Sequence, residues 1–350
     1  MPGFDLALPY SRGADEVPGM LERARVAESE GARALWVSDD WYGLDAFAAL
    51  AAVGQHCRSP KLAVGVTNPF ARHLVQTAAA AMTADRLCGG GRVIVTLGRS
   101  ARYGVEHLGM HFGDGQRALA DGVRILRKLL RGEECSERTE HFRMDHHRMT
   151  WPIHERPIPV YLAAIGPKTL ELAGEAADGV LLSGFCTLPY VEWAIAHVQR
   201  GAERAGRSLA EIDVVCPQSL WLGTPPAPVY DAVRVMVGTM CLLPGVADAV
   251  SVGSGVAPDW AARYRAATRA DELFRKGDDL FGAFVASGGR EAARPFLTDE
   301  LLRQMFLFGE REAIAAKLGR LFALGVNHVS LTPTHLSAAE TLRTARSLAA

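Results

Sequence analysis

The sequence lacks an excess of charge of either sign. Its 350 residues hold 38 lysines and arginines against 39 aspartates and glutamates, giving a formal net charge of −1, and no basic run stands out. Proteins that attract nucleic acid or a membrane surface electrostatically carry a basic patch or stripe. We therefore expect neither nucleic acid nor a membrane as a partner.

Paired cysteines and long apolar runs are missing as well. The six cysteines are scattered without a C-x-x-C pair, and a chain of this length can form a core without disulfides. No apolar run approaches the roughly 20 residues that span a bilayer, and Met1 is not followed by a basic stretch and an apolar signal core. We expect reduced thiols and a cytoplasmic location.

What the sequence does contain is a regular alternation of short apolar strands and amphipathic helices. Such alternation implies parallel strands with right-handed crossovers, and eight units close a (β/α)8 TIM barrel. A doubly wound open sheet is the alternative, but no G-x-G-x-x-G motif follows the first strand. The predicted strands are 4–10, 34–38, 61–65, 92–97, 160–164, 180–183, 212–221 and 328–332.

Two stretches interrupt this alternation. Residues 133–157 are polar and irregular, and we interpret them as a small hairpin-like insertion laid over the barrel. Residues 225–308, between strands seven and eight, are rich in helix formers but broken by proline and glycine. We interpret them as a helical insertion too discontinuous to form a core of its own, so residues 1–350 are predicted to be one domain.

The segment 157–184 is a complete strand, helix and strand, and its helix start has the chemistry of an anion site. The turn is Gly166-Pro167-Lys168-Thr169, with proline at the first helical position. Unpaired amides, the helix dipole, a lysine and a hydroxyl meet there, which favours a phosphate. An ordinary helix start with a solvated lysine is the alternative.

The other polar residues give weaker evidence of a functional site. His146 and His147 are adjacent, a spacing that does not suit one metal ion, so no metal site is predicted. His73 either faces the site or starts a helix. Cys186, at a strand end, has no partner base in the pattern to make it a nucleophile.

Five segments resemble the bacterial luciferase-like superfamily, in particular the branch of coenzyme F420-dependent oxidoreductases that includes methylenetetrahydromethanopterin reductase. They are LWVSDD at 35–40, VGVTNPFARH at 64–73, VTLGR at 95–99, AAIGPKTLELAGEAADGV at 163–180 and FGEREAIAAKL at 308–318. The resemblance implies a TIM barrel, often a homodimer, with a flavin or deazaflavin at the carboxyl ends of the strands.

The resemblance also implies individual roles. Gly65-Val66 matches the family's non-prolyl cis peptide, Asp39 would bond the ring, and the loops at 98–100 and 166–169 would hold the phosphate. Glycines 65, 98, 166 and 184 would let backbone approach the ligand. The implied cofactor-binding residues are Asp39, Gly65, Val66, Thr67, Asn68, Leu97, Gly98, Arg99, Ser100, Ala164, Ile165, Gly166, Pro167, Lys168 and Thr169.

The chain departs from the family pattern where protons are handled. Asp40 stands where the family usually has histidine, and no acidic residue follows Arg99. Asp40 is the candidate catalytic acid or base, provided that burial raises its pKa. A solvated or loop-capping aspartate is the alternative.

Three functions remain open at this point. The first is hydride transfer between coenzyme F420 and a C=C or C=N bond of a small molecule, favoured by Lys168, Arg99 and Arg102 near the proposed phosphate. The second is an FMNH2-dependent monooxygenase, for which FMN replaces F420. The third is a flavin-binding barrel without catalysis.

Overall fold

Eight parallel strands close into a barrel in a computed structural model that describes residues 3–8, 16–39, 43–150, 156–243, 245–276 and 280–349. Each barrel strand pairs with the next along the chain, and the ring closes where the last pairs with the first. The (β/α)8 TIM barrel prediction is therefore confirmed. The barrel strands are β1 (Gly3–Ala7), β2 (Ala34–Val37), β3 (Lys61–Thr67), β4 (Val93–Leu97), β7 (Val160–Ala163), β8 (Gly179–Leu181), β9 (Asp213–Leu222) and β11 (His328–Thr332); outside it lie β5 (Cys135–Arg138), β6 (Arg143–His147) and β10 (Leu307–Gly309).

Helices cover the outside of the barrel and build the long insertion. The covering helices are α1 (Glu16–Ser29), α2 (Ala46–His56), α3 (Leu74–Leu87), α4 (Arg102–His107), α5 (Gly115–Leu130), α6 (Pro167–Ala176), α7 (Leu188–Arg204), α15 (Arg311–Ala323) and α16 (Ala338–Ala349). The insertion holds α8 (Ala227–Met240), α9 (Val246–Ser251), α10 (Trp260–Ala267), α11 (Ala270–Lys276), α12 (Leu280–Ala286), α13 (Gly289–Ala293) and α14 (Asp299–Met305). No described helix is long and apolar enough to cross a bilayer.

Alternate residues of each strand serve two separate cores, as the pleat requires. On β3, Leu62 and Val64 pack outward against the helices, whereas Ala63 points into the barrel. The interior is thus filled by side chains, leaving the strand ends for ligands. The interior cluster consists of Ala34, Trp36, Ala63, Ile94, Tyr161, Leu181 and Val215.

Polar side chains fill the barrel at its amino-terminal end. Arg33 donates to both carboxylate oxygens of Asp5, at 2.8 and 2.6 Å, and the Trp36 indole donates to the same group at 2.8 Å. Beside them the Tyr161 hydroxyl donates to Asp213. Because Asp5 is fully buried, it depends on these donors.

The polar stretch after α5 forms the expected hairpin. Strands β5 and β6 pair antiparallel, and Phe142 and Met144 turn inward to join the outer core. Glu137 accepts from Lys128 of α5 at 3.0 Å, so the hairpin is attached to this helix. The end of the predicted insertion, 151–155, lies outside the described residues.

The expectation that the long insertion has no core is wrong. Its short helices enclose a second hydrophobic cluster, in which Tyr264 and Phe284 are fully buried. The proline and glycine breaks allow this, because short helices can turn back around shared aromatic rings. Sequence reasoning also missed β10, three residues that pair with β9.

Candidate active site

The described residues of the predicted cofactor site lie at or just beyond the carboxyl ends of four neighbouring strands. These are β2, β3, β4 and β7, which pair consecutively in the barrel. Parallel strands end at the same edge, so the sequence segments that follow them meet at the carboxyl face. Asp39 follows β2 and is half-buried, whereas Asp40, the catalytic candidate, lies outside the described residues.

The end of β3 has an irregular backbone. The peptide bond between Gly65 and Val66 is cis, as expected, and the pairing with β4 shifts register between Val64 and Thr67. The Thr67 hydroxyl is buried and has no hydrogen-bond partner within the part of the chain that the structure describes. A buried donor without a partner is costly, so this hydroxyl is available for a ligand.

Asn68 has a local role in addition to any ligand contact. Its side-chain oxygen accepts from the backbone amides of Phe70 and Ala71, at 2.9 and 2.8 Å. This turn fixes the direction in which the chain leaves β3.

The four glycines singled out from the sequence divide into two kinds. A Cβ on Gly65 would lie 2.5 Å from the Trp36 ring, and one on Gly98 would lie 2.6 Å from Val66. These two glycines make room for protein side chains. Apart from the glycine's own chain neighbours and helix backbone, no described atom lies within 4 Å of that position at Gly166, and the nearest at Gly184 is Pro217 at 3.9 Å. At these two positions the backbone is open to a ligand.

The start of α6 keeps the properties expected of an anion site. Gly166 is the N-cap and supplies no side-chain cap, and the Lys168 ammonium has no ion-pair partner among the described residues. Arg99 and Ser100, after the neighbouring β4, are exposed. Thr169 is less free, because its hydroxyl donates to Gln116 at 2.9 Å.

Other residues expected near the phosphate are engaged elsewhere. Arg102 forms an ion pair with Glu106 at 2.8 Å, and its guanidinium lies over the Phe112 ring. The side chains of Leu97 and Ala164 pack into the outer core, so only their backbone faces the site. The Ile165 carbonyl accepts from the buried Tyr190 hydroxyl at 2.8 Å, a support that no sequence pattern indicated.

The remaining sequence candidates are structural. His73 accepts from the Val75 amide and caps α3, and the exposed His146 pairs with Glu134 at 2.8 Å. The Cys186 thiol donates to the Ser183 carbonyl at 2.6 Å. Burial raises the pKa of Cys186 well above its ordinary value, so it is not a thiolate nucleophile.

Aromatic side chains of the insertion meet the barrel at this face. Phe274 packs on Tyr103 with ring centroids 5.0 Å apart, and Phe306 meets Phe185, which follows β8, at 6.2 Å. The second core thus borders the site through residues after β4 and β8. Sequence reasoning missed these contacts because the partners are far apart in the chain.

The closed barrel, with its candidate site at the carboxyl face, defines a TIM-barrel enzyme. A family model described as luciferase-like monooxygenase matches residues 4–328, so the chain belongs to the luciferase-like monooxygenase family. It is an oxidoreductase.

Two curated relatives and one solved structure are similar to this chain over most of its length. It is 27% identical to the 5,10-methylenetetrahydromethanopterin reductase of Methanolobus tindarius, over 90% of each chain. It is 27% identical to the F420-dependent glucose-6-phosphate dehydrogenase of Kineococcus radiotolerans, over 66% of this chain and 73% of that one. The structure of the coenzyme F420-dependent tetrahydromethanopterin reductase of Methanopyrus kandleri superposes with a TM-score of 0.74, at 23% identity over 98% and 97% of the two chains.

Proposed function

We propose that this enzyme transfers a hydride between coenzyme F420 and a C=C or C=N bond of a small molecule. The observation that carries the proposal is the start of α6, where Gly166 borders open space and Lys168 is unpaired among the described residues. A phosphate there gains from free amides and the helix dipole. Similarity to an F420-dependent dehydrogenase supports the same cofactor.

Exposure of the proposed phosphate position favours F420 over FMN. FMN ends at its phosphate, whereas F420 continues into a charged lactyl-glutamate tail. Pro167, Lys168, Arg99 and Ser100 are all exposed, so a tail would find solvent and two cations beyond the phosphate. Arg102 is paired with Glu106, so Lys168 and Arg99 are the two cations proposed to attract the tail.

In the proposed complex, the ring of the cofactor lies at the end of β3. The buried Thr67 hydroxyl has no partner among the described residues, and Val66 is partly buried against the interior cluster. Thr67 would bond the ring edge while Val66 supports one face. When bound, the deazaflavin supplies the hydride chemistry; the protein orients it and excludes water from that face. Asp40, after β2, is the candidate for proton transfer, and Asp39 would bond the ring.

An FMNH2-dependent monooxygenase is the second candidate, because the matching family model carries that description. Titration of the purified chain with F420 and with FMN, followed by fluorescence, separates the two. We expect F420 to bind more tightly than FMN, and raised salt to weaken it because part of the attraction is screened. Tight FMN binding with oxygen-dependent turnover would favour the monooxygenase instead.

A further inference from the structure

A cluster of three metal-ligand side chains lies beside the β3 loop, apart from the proposed cofactor contacts. His111 belongs to the segment between α4 and α5, and Glu140 and His141 form the tip of the β5–β6 hairpin. One potential ligand atom from each lies within 4.8 Å of the other two. Two histidines and one carboxylate are a ligand set that zinc accepts.

The distances are close to those of a coordinated ion. His111 Nε2 and Glu140 Oε1 are 3.0 Å apart, and His141 Nε2 lies 4.0 Å from the same oxygen. Bonds of about 2.0–2.2 Å in tetrahedral geometry separate ligand atoms by about 3.3–3.5 Å. Adjustments of about 1 Å in side chains would therefore bring these atoms to one ion.

The three donor atoms surround the position that a side chain of residue 113 would occupy. A Cβ at Gly113 would lie 2.0 Å from Glu140 Oε1, 2.7 Å from His111 Nε2 and 2.8 Å from His141 Nε2. A side chain at this position would thus collide with all three donors. Gly113 also has a φ of 49°, a left-handed conformation that glycine adopts without strain.

We propose that His111, Glu140 and His141 bind one Zn²⁺-class divalent transition metal ion. The ion would join the hairpin tip to the segment before α5. Three protein ligands leave a coordination position for water or a small anion. An open cavity of about 280 Å³, lined also by Pro69, Phe70 and Met110, lies next to the cluster.

The charges and hydrogen bonds around the three ligands partly favour a bound cation. Glu140 brings a carboxylate oxygen to the cluster, 3.0 Å from His111 Nε2. His141 Nε2 contacts the Phe112 carbonyl at 3.0 Å, and a metal bond would replace that contact. Arg102, which donates to the Gly113 carbonyl at 3.1 Å, is the opposing positive charge nearby.

The sequence predicted no metal site because these ligands are dispersed. His111 and Glu140 are 29 residues apart, and only the hairpin brings them together. In the sequence, the adjacent pair His146 and His147 is the more visible metal-ligand candidate, but His146 pairs with Glu134.

Zinc titration of chelator-treated full-length protein by calorimetry tests the proposal, with the thermal midpoint as a second readout. We expect one Zn²⁺ per chain and a midpoint that rises with zinc. His111→Ala and Glu140→Gln should each weaken binding at least about 100-fold, since outer-shell partners alone cost about 10–100-fold. His111 is 70% exposed, so its removal should leave the fold intact.

The matched control is His146→Ala, which removes an exposed, carboxylate-paired histidine from the same hairpin. It should bind Zn²⁺ as the wild type does. The proposal is wrong if the wild type binds no zinc, if His111→Ala and Glu140→Gln retain full affinity, or if His146→Ala weakens binding equally. The test does not involve F420, so its outcome is independent of the proposed function.

Discussion

Replacing Gly174 by alanine should destabilise the helix pair that carries the proposed phosphate site. A Cβ on Gly174 of α6 would lie 1.9 Å from the Val198 carbonyl oxygen of α7, and one on Gly201 would lie 1.8 Å from the Glu171 carbonyl. The two helices therefore touch backbone to backbone through paired glycines. Neither blocking atom belongs to a side chain that can rotate away.

Two opposing effects determine the magnitude. Alanine is the better helix former by about 1 kcal/mol, which favours Gly174→Ala. The collision would require α6 to move by about 1 Å, and overpacking of this kind costs about 1–3 kcal/mol or more. Because the obstacle is backbone, we expect the upper end of that range and a net loss of about 2 kcal/mol.

Urea denaturation followed by circular dichroism measures the difference, with Gly319→Ala as the matched control. Gly319 also lies within a helix, α15, but apart from the backbone of that helix no atom of the described residues lies within 4 Å of its Cβ position. The control should gain up to about 1 kcal/mol from helix propensity alone. If Gly174→Ala proves as stable as Gly319→Ala, the close approach of α6 and α7 is not as described.

Two further predictions concern charge. Lys168→Ala should weaken F420 binding up to about 5-fold at low salt, since an exposed ion pair between the ammonium and the phosphate contributes up to about 1 kcal/mol. High salt should reduce the difference. Arg58→Ala, which removes an exposed cation before β3, is the control and should bind normally. At the amino end of the barrel, burial acts to raise the pKa of Asp213, but hydrogen bonds with His328 and Tyr161 outweigh it and lower the pKa below the ordinary 3.8. The stabilisation that charged Asp213 provides is fully present above its unfolded pKa and is lost as the pH falls through its lower folded pKa. Asp213→Asn should therefore lower the free energy of unfolding at neutral pH and flatten the decline of that free energy below about pH 4. An equally steep loss of stability at acid pH in the variant, measured by urea midpoints, would contradict this.

The barrel could be predicted from the sequence because its signals are local. The strand at His328–Thr332 has the predicted limits, since the alternation of apolar Val329 and Leu331 with polar residues is a local signal. The start of α6 was equally accessible, because Pro167 after Gly166 marks a helix start by local geometry. Such signals depend on residues within one turn of each other.

The contents of the insertion and the metal cluster depend on distant partners instead. Arg234 is almost fully buried because it donates to the Leu297 carbonyl and pairs with Asp231 and Asp299. Two of these partners lie more than 60 residues further along the chain. Periodicity within α8 shows that Arg234 is polar, but it cannot show that the donors of its guanidinium have partners.

This division between local and distant information coincides with a division of function. The proposed cofactor contacts lie at or just beyond the carboxyl ends of β2, β3, β4 and β7, so their positions follow from the barrel itself. The insertion borders this face through Phe274 and Phe306. We expect the hairpin tip at Glu140 and His141, which lies beside the loop after β3, to add a further wall. A relative with the same strands but a different insertion would keep the cofactor contacts and present different walls. Substrate choice should therefore follow the insertion and the hairpin, and exchange of the barrel strands should leave it unaltered.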